Sequence, residues 1–219
     1  MKTLLFSAAA VALSFGYASA VTGTLDETDT GSFGPSPTEL SSATIAIDGY
    51  GGSGTLTHVE IEVVGSIVNS TIDLTNNGAG PELFEASTNI TFLIGGDVTF
   101  APSTFQASGG TGIQSLNAGE SGSFNVSGSN SLTEVFSSGL ALFLSPFDIE
   151  SSTLTGLSLV GGGGNLANSQ TTNAQVDVTV RYFIADTPPP PPIPLPAGLP
   201  LLLTALGGLT FIGWRGRKA

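Results

Sequence analysis

In Thr55-Leu56-Thr57-His58-Val59-Glu60-Ile61-Glu62-Val63, the residues from His58 to Val63 alternate strictly between polar and apolar side chains. With a side-chain period of two, Val59, Ile61 and Val63 share one face of a strand while His58, Glu60 and Glu62 share the other. That is the pattern of a half-buried strand in an antiparallel sheet. Val176, Val178, Val180, Tyr182 and Ile184 alternate in the same way with Asp177, Thr179, Arg181 and Phe183. Further strands are predicted at residues 43–47, 67–74, 89–94, 98–100, 122–126, 140–144 and 154–160. Between them lie turn formers at Gly49 to Gly54, Asn76-Asn77-Gly78, Gly95-Gly96, Gly109-Gly110, Gly119 to Gly122 and Gly161 to Gly164. The segment from Gly161 to Gln170 reads as a loop. No amphipathic helical period and no fixed repeat appear, so the expected fold is all-β, an antiparallel β-sandwich or jelly-roll-like domain.

The two ends follow different rules. Residues 1–20 carry Lys2, an apolar centre from Leu4 to Phe15, and small residues at Ala18 and Ala20. This is the layout of a cleavable signal peptide, cut after Ala20 by signal peptidase. At the other end, Pro188 to Pro192 predict a stiff polyproline II stalk over residues 187–193. No charged residue occurs from Ile193 to Trp214. Roughly 20 apolar positions at about 1.5 Å of rise approach the roughly 30 Å of a hydrocarbon core, enough for a single C-terminal transmembrane helix. Arg215, Arg217 and Lys218 follow immediately and favour the cytoplasmic side of the inner membrane. The expected divisions are a signal peptide (1–20), an ectodomain (21–186), a stalk (187–193) and a C-terminal segment (194–219).

Pro194, Leu195, Pro196, Ala197 and Gly198, followed by an apolar stretch and a basic tip, resemble the VPLPA variant of the PEP-CTERM sorting signal, with Ile193 where that family has Val. The resemblance implies export by a Gram-negative bacterium and processing by an exosortase-type membrane enzyme. It also implies delivery from a membrane-tethered precursor to the cell surface or the extracellular space, often in exopolysaccharide or biofilm settings.

Composition bounds the ectodomain. It is one domain's length and lacks cysteine, which excludes disulfides, thiolate metal sites and a cysteine nucleophile. All 17 Asp and Glu residues fall within 21–186, where Arg181 is the single Lys or Arg. One cation against 17 carboxylates gives a formal charge of −16. Such a surface repels phosphate backbones, so nucleic acid is not an expected partner, whereas cations and neutral polysaccharide are compatible with it.

A second resemblance lies inside this region. Asp48-Gly49-Tyr50-Gly51-Gly52-Ser53-Gly54-Thr55-Leu56-Thr57-His58-Val59 and the closing Val178-Thr179-Val180-Arg181-Tyr182 are similar to the start and final strand of the choice-of-anchor E domain, with Ile47 in place of that family's Phe. The resemblance implies an exported domain joined to a C-terminal anchoring signal.

Candidate chemistry is sparse. His58, Glu60 and Glu62 on one strand face, with neighbours roughly 6.5–7 Å apart, are candidate ligands for a divalent metal, although three groups from one strand are an incomplete set. Asp26-Glu27-Thr28-Asp29-Thr30-Gly31 concentrates carboxylates before a glycine, making Ca2+ the cation to consider. It lacks the spacing of an EF-hand loop and reads as a solvated segment. His58 is the sole histidine, there is no Gly-x-Ser-x-Gly elbow, and no lysine lies in the ectodomain. The expectation is therefore no enzyme and no bound cofactor, in a structural or adhesive surface protein. The alternative is a cation-dependent domain that binds or hydrolyses glycans.

Overall fold

The computed structural model describes residues 23–186. The expected signal peptide with Ala18 and Ala20, the stalk, the motif from Pro194 to Gly198 and the tip of Arg215, Arg217 and Lys218 all lie outside the described residues. Eight strands run in chain order: β1 (Thr24–Pro37), β2 (Ala43–Ile47), β3 (Leu56–Asn76), β4 (Glu82–Gly96), β5 (Thr104–Leu116), β6 (Ser121–Phe136), β7 (Phe147–Gly161) and β8 (Leu166–Ile184). They form two four-stranded antiparallel sheets ordered β1-β8-β3-β6 and β2-β7-β4-β5. The chain is one long antiparallel ribbon, pairing β1 with β8, β2 with β7, β3 with β6 and β4 with β5, folded so that sequence neighbours occupy matching positions in opposite sheets. This is the winding of a jelly roll. Among the described residues there is no α-helix, and none is long and apolar enough to cross a membrane.

Alternation places the core. Val59, Ile61 and Val63 of β3 and Val176, Val178, Val180 and Tyr182 of β8 point inward, opposite Ile90, Phe92 and Ile94 of β4, and all are buried. A Cβ built on Gly65 of β3 would sit 2.6 Å from Cε2 of Phe92, so this glycine is the notch that receives the facing ring.

β3 explains why residues 55–63 and 67–74 read as separate strands. The register against β8 slips between Val68 and Thr71, and Asn69 takes a φ of 46°. This bulge moves the buried set from odd positions (Val59, Ile61, Val63, Ile67) to even ones (Ser70, Ile72, Leu74, Asn76) without ending the strand. It also divides the interior. The larger core cluster lies before the bulge, and a smaller one around Ile72, Leu74, Phe84, Ala86, Leu116 and Val126 lies beyond it. Between them runs a hydrogen-bonded polar belt of Ser70, Thr88 and Thr172, in which Gln170 Nε2 donates to the hydroxyls of Thr88 (3.1 Å) and Thr172.

Several sequence expectations are corrected. The acidic segment from Asp26 to Gly31 is solvated, with Asp26, Thr28 and Thr30 exposed, but it is part of β1, which pairs with β8 from Thr24 to Pro37. Residues 140–144 form a 3₁₀ helix that buries Phe143, and Val98 and Phe100 are buried from a loop rather than a strand. Gly109 lies inside β5, where any Cβ would collide with the Ser127 carbonyl of the opposite sheet; it permits a close approach and makes no turn. The segment after Gly161 is a single 3₁₀ turn, Gly162–Gly164, and then β8. Gly65→Val should destabilise the fold by about 1–3 kcal/mol through overpacking against Phe92. Chemical denaturation of the variant and the parent would measure it.

Candidate functional site

The strand face singled out by the alternation is occupied by its own side chains. Glu60 pairs with Arg181 across the β3–β8 ladder. The guanidinium reaches both acids, with Nη1 2.6 Å from Glu60 Oε1 and Nη2 2.9 Å from Glu62 Oε2. The hydrogen bond to Glu62 leads the interactions that raise the Arg181 pKa. All three side chains are about one-third exposed, so solvent screens the pair and its net worth is at most about 1 kcal/mol. His58, although on the outer face, is buried and stacks on Phe183 with ring centroids 4.1 Å apart. Its Nδ1 lies 3.1 Å from Thr57 Oγ1, and that hydroxyl donates to the Phe183 carbonyl at 3.2 Å. His58, Glu60 and Glu62 thus share one face but not one site, because a cation-binding role would require Arg181 to leave. No group of three or more His, Asp or Glu side chains among the described residues could hold a metal ion.

The carboxylates of β1 have a second use. Asp29 Oδ2 accepts from the Asp48 backbone N–H at 3.0 Å, and Glu27 Oε2 accepts from Gly51 N–H at 3.0 Å. The Tyr50 hydroxyl donates to Asp26 Oδ2 at 2.6 Å and accepts from Gly54 N–H at 3.0 Å. On its other side the loop is tied by Tyr50 N–H to the Phe143 carbonyl at 2.7 Å. Gly49 takes a φ of 84° where a Cβ would strike Ser145, so the turn there needs glycine. The acidic run and the glycine loop, separate in the sequence reading, are one latch. Asp148 and Asp97 make a similar clasp, each carrying a backbone N–H that donates to the other residue (2.9 and 3.0 Å).

A cleft of about 570 Å³ opens between the two sheets where β1 and β2 end. Its walls carry Thr155 and Leu157 of β7 and Asn168, Gln170 and Thr172 of β8, with Glu39 at one end. Glu39 has a φ of 68° and is held by Thr153, whose Oγ1 accepts from Glu39 and Leu40 N–H at 3.1 and 3.2 Å. The volume falls in the range of small-ligand sites, but the lining is hydroxyl and amide rather than aromatic. Nothing along the chain points to this cleft, because its residues come from strand ends and a connecting segment far apart in sequence.

Comparison with known proteins adds little here. No family model matches the chain, and no curated protein matches it. Among solved structures, it is similar to the VP2 subviral particle of infectious bursal disease virus, at 10% identity with a TM-score of 0.22 over 80% of this chain and 42% of that one. The T13 particle of the same virus gives 9% identity and a TM-score of 0.19, over 80% and 44%. The chain thus spans less than half the length of these capsid chains, and likeness at that level carries no functional argument.

Two tyrosines generate the testable chemistry of this region. The Tyr50 hydroxyl is pushed above its ordinary pKa of 10.0, first by its bond to Asp26 and then by burial. Tyr182, whose buried hydroxyl has no hydrogen-bond partner, is pushed up further, first by burial and then by the charges of Asp29, Glu27 and Asp48. A folded pKa above the unfolded one gives stability that is complete below about pH 10 and is lost as pH rises through the folded value. Tyr182→Phe should therefore move alkaline unfolding to higher pH. At pH 7 it should leave stability unchanged or raise it by about 1 kcal/mol, because it removes an unsatisfied polar group. Urea titrations across the alkaline range would read both effects.

Proposed function

We propose that this chain is an exported bacterial surface or matrix protein with a non-catalytic, structural or adhesive ectodomain. Its route is an inner-membrane-tethered precursor, processed at the C-terminal signal by an exosortase-type enzyme. The observation that carries the reading is the order of features in one chain. A leader ending at Ala18 and Ala20 comes first, then a domain, a proline stalk, Pro194-Leu195-Pro196-Ala197-Gly198, an uncharged apolar stretch, and Arg215, Arg217 and Lys218. Assignment of the ectodomain to the choice-of-anchor E type belongs to the same proposal. Support for a structural role comes from the way the prominent polar groups are used: His58 is stacked, Glu60 and Glu62 hold Arg181, and the β1 carboxylates hold a loop.

A second reading, a glycan-binding domain aided by a cation such as Ca2+, is favoured by one observation, the hydroxyl- and amide-lined cleft beside Gln170. Calorimetry with calcium and a glycan array addresses it, and uptake of neither would sink it.

Intact-mass analysis of the protein from its own envelope tests the main reading. The expected species begins at Val21 and lacks the residues after about Leu195. A chain retained at full length in the inner membrane would overturn processing.

A further inference from the structure

Two strands lose their outer neighbours partway along. β1 accompanies β8 only to Pro37 opposite Asn173, and β2 accompanies β7 only over Ala43–Ile47, opposite Phe147 to Ser151. One further bond on each side, Thr38 N–H to the Thr172 carbonyl and Thr153 N–H to the Leu40 carbonyl, ends the pairing. Beyond these points, no strand among the described residues borders β8 before Thr172 or β7 after Thr153 on that side.

The outward direction of the free backbone on β7 follows from the Thr153 bond. Hydrogen-bonding direction alternates along a strand, and β7 pairs with β4 without a register slip, so the N–H and C=O groups of Thr155, Leu157 and Leu159 point away from β4 toward the open edge. The alternate side chains Leu154 and Val160 stand on the outer face, 68% and 66% exposed. Free edges are normally blunted by charges, prolines or bulges. β1 has all three, in Asp26, Glu27 and Asp29, in Pro35 and Pro37, and in its register slips against β8. The free part of β7 has none. No charged residue occurs from Ser151 to Val176, in a domain where one cation faces 17 carboxylates. Copies of so acidic a domain repel one another, and the free part of β7 adds no charge of its own to that repulsion, the carboxylates beside it being Glu39 in the cleft and Glu85 opposite Val160 on β4.

We propose that two copies of this chain join edge to edge through residues 154–160 of β7, antiparallel about a twofold axis at Leu157. In that register Leu157 exchanges backbone hydrogen bonds with its counterpart, and Thr155 does so with Leu159 of the second copy. Leu154 then lies directly opposite Val160 of the second copy at both ends of the junction, so the two exposed apolar side chains become cross-strand pairs. The β2-β7-β4-β5 sheets of the two copies merge into one continuous sheet, and a self-complementary patch of this kind closes as a dimer. A saccharide in the adjacent cleft would engage its hydroxyl and amide groups but leave Leu154 and Val160 in water, so a second copy is the better fit. The inference does not depend on export or C-terminal processing.

Cysteine cross-linking of the full chain tests the register, because the parent has no cysteine. Leu157→Cys places two Cα atoms about 5.5 Å apart across the axis, within disulfide range, whereas Leu154→Cys lies about 20 Å from its counterpart. Under mild oxidation the first variant should give a disulfide dimer and the second should not. Sedimentation of cysteine-free chains provides a second measure, independent of any effect of Leu157→Cys on folding. The parent should dimerise, and Leu154→Asp with Val160→Asp, both on exposed side chains, should raise the dissociation constant at least about tenfold. A parent that stays monomeric up to its solubility limit overturns the proposal, as does equal cross-linking at both cysteines. A monomeric parent retained on neutral polysaccharide, with retention lost in Gln170→Ala, likewise overturns it and assigns the cleft to a glycan.

Discussion

The rest of the fold depends on the ladder between β3 and β8. It runs from Leu56 opposite Ile184 to Asn76 opposite Leu166, and β1 and β6 attach to its two outer sides. Its inner face presents Val59, Ile61, Val63, Val176, Val178, Val180 and Tyr182, all essentially removed from water. At about 1.5–3 kcal/mol for each large apolar side chain fully buried, that face is the main reason for the second sheet to close over it. Gly65 fixes where the closure occurs, by leaving room for Phe92.

Acidity in this domain is partly a construction material. The domain's single Lys or Arg, Arg181, sits between Glu60 and Glu62, and several surface carboxylates accept backbone N–H groups. Glu27 and Asp29 do so for the 48–54 loop, and Glu120 Oε2 accepts from Asn117 N–H at 2.7 Å at the turn before β6. Ionised acceptors make stronger hydrogen bonds than neutral ones, so a chain without disulfides gains fixed loops from residues that also keep it soluble.

The all-β class was legible because alternation and glycine punctuation are local signals, and both His58–Val63 and Val176–Tyr182 are regular in that sense. What escaped was non-local. The change of buried parity at Asn69 looks like a strand end when only the sequence is read. β1 has little apolar content and becomes a strand because β8 offers it an edge. Gly109 resembles a turn residue but answers a steric demand from the opposite sheet. At the metal candidate, the shared face of His58, Glu60 and Glu62 was readable. The arrival of Arg181 between the two acids depended on the register with β8, which no stretch of β3 encodes. The cleft had no sequence signature because the termination of β1 and β2 creates it.

One consequence of the ribbon's winding is mechanical. Ile184 is paired on one side with Thr24 and on the other with Leu56, so the end of β8 is flanked by two ladders. A pull on Ala185 along the strand axis loads both ladders in shear, with many hydrogen bonds resisting together. A pull that separates Thr24 from Ile184 sideways instead peels β1 away one pair at a time. The domain therefore resists traction along β8 far better than sideways separation of its two ends.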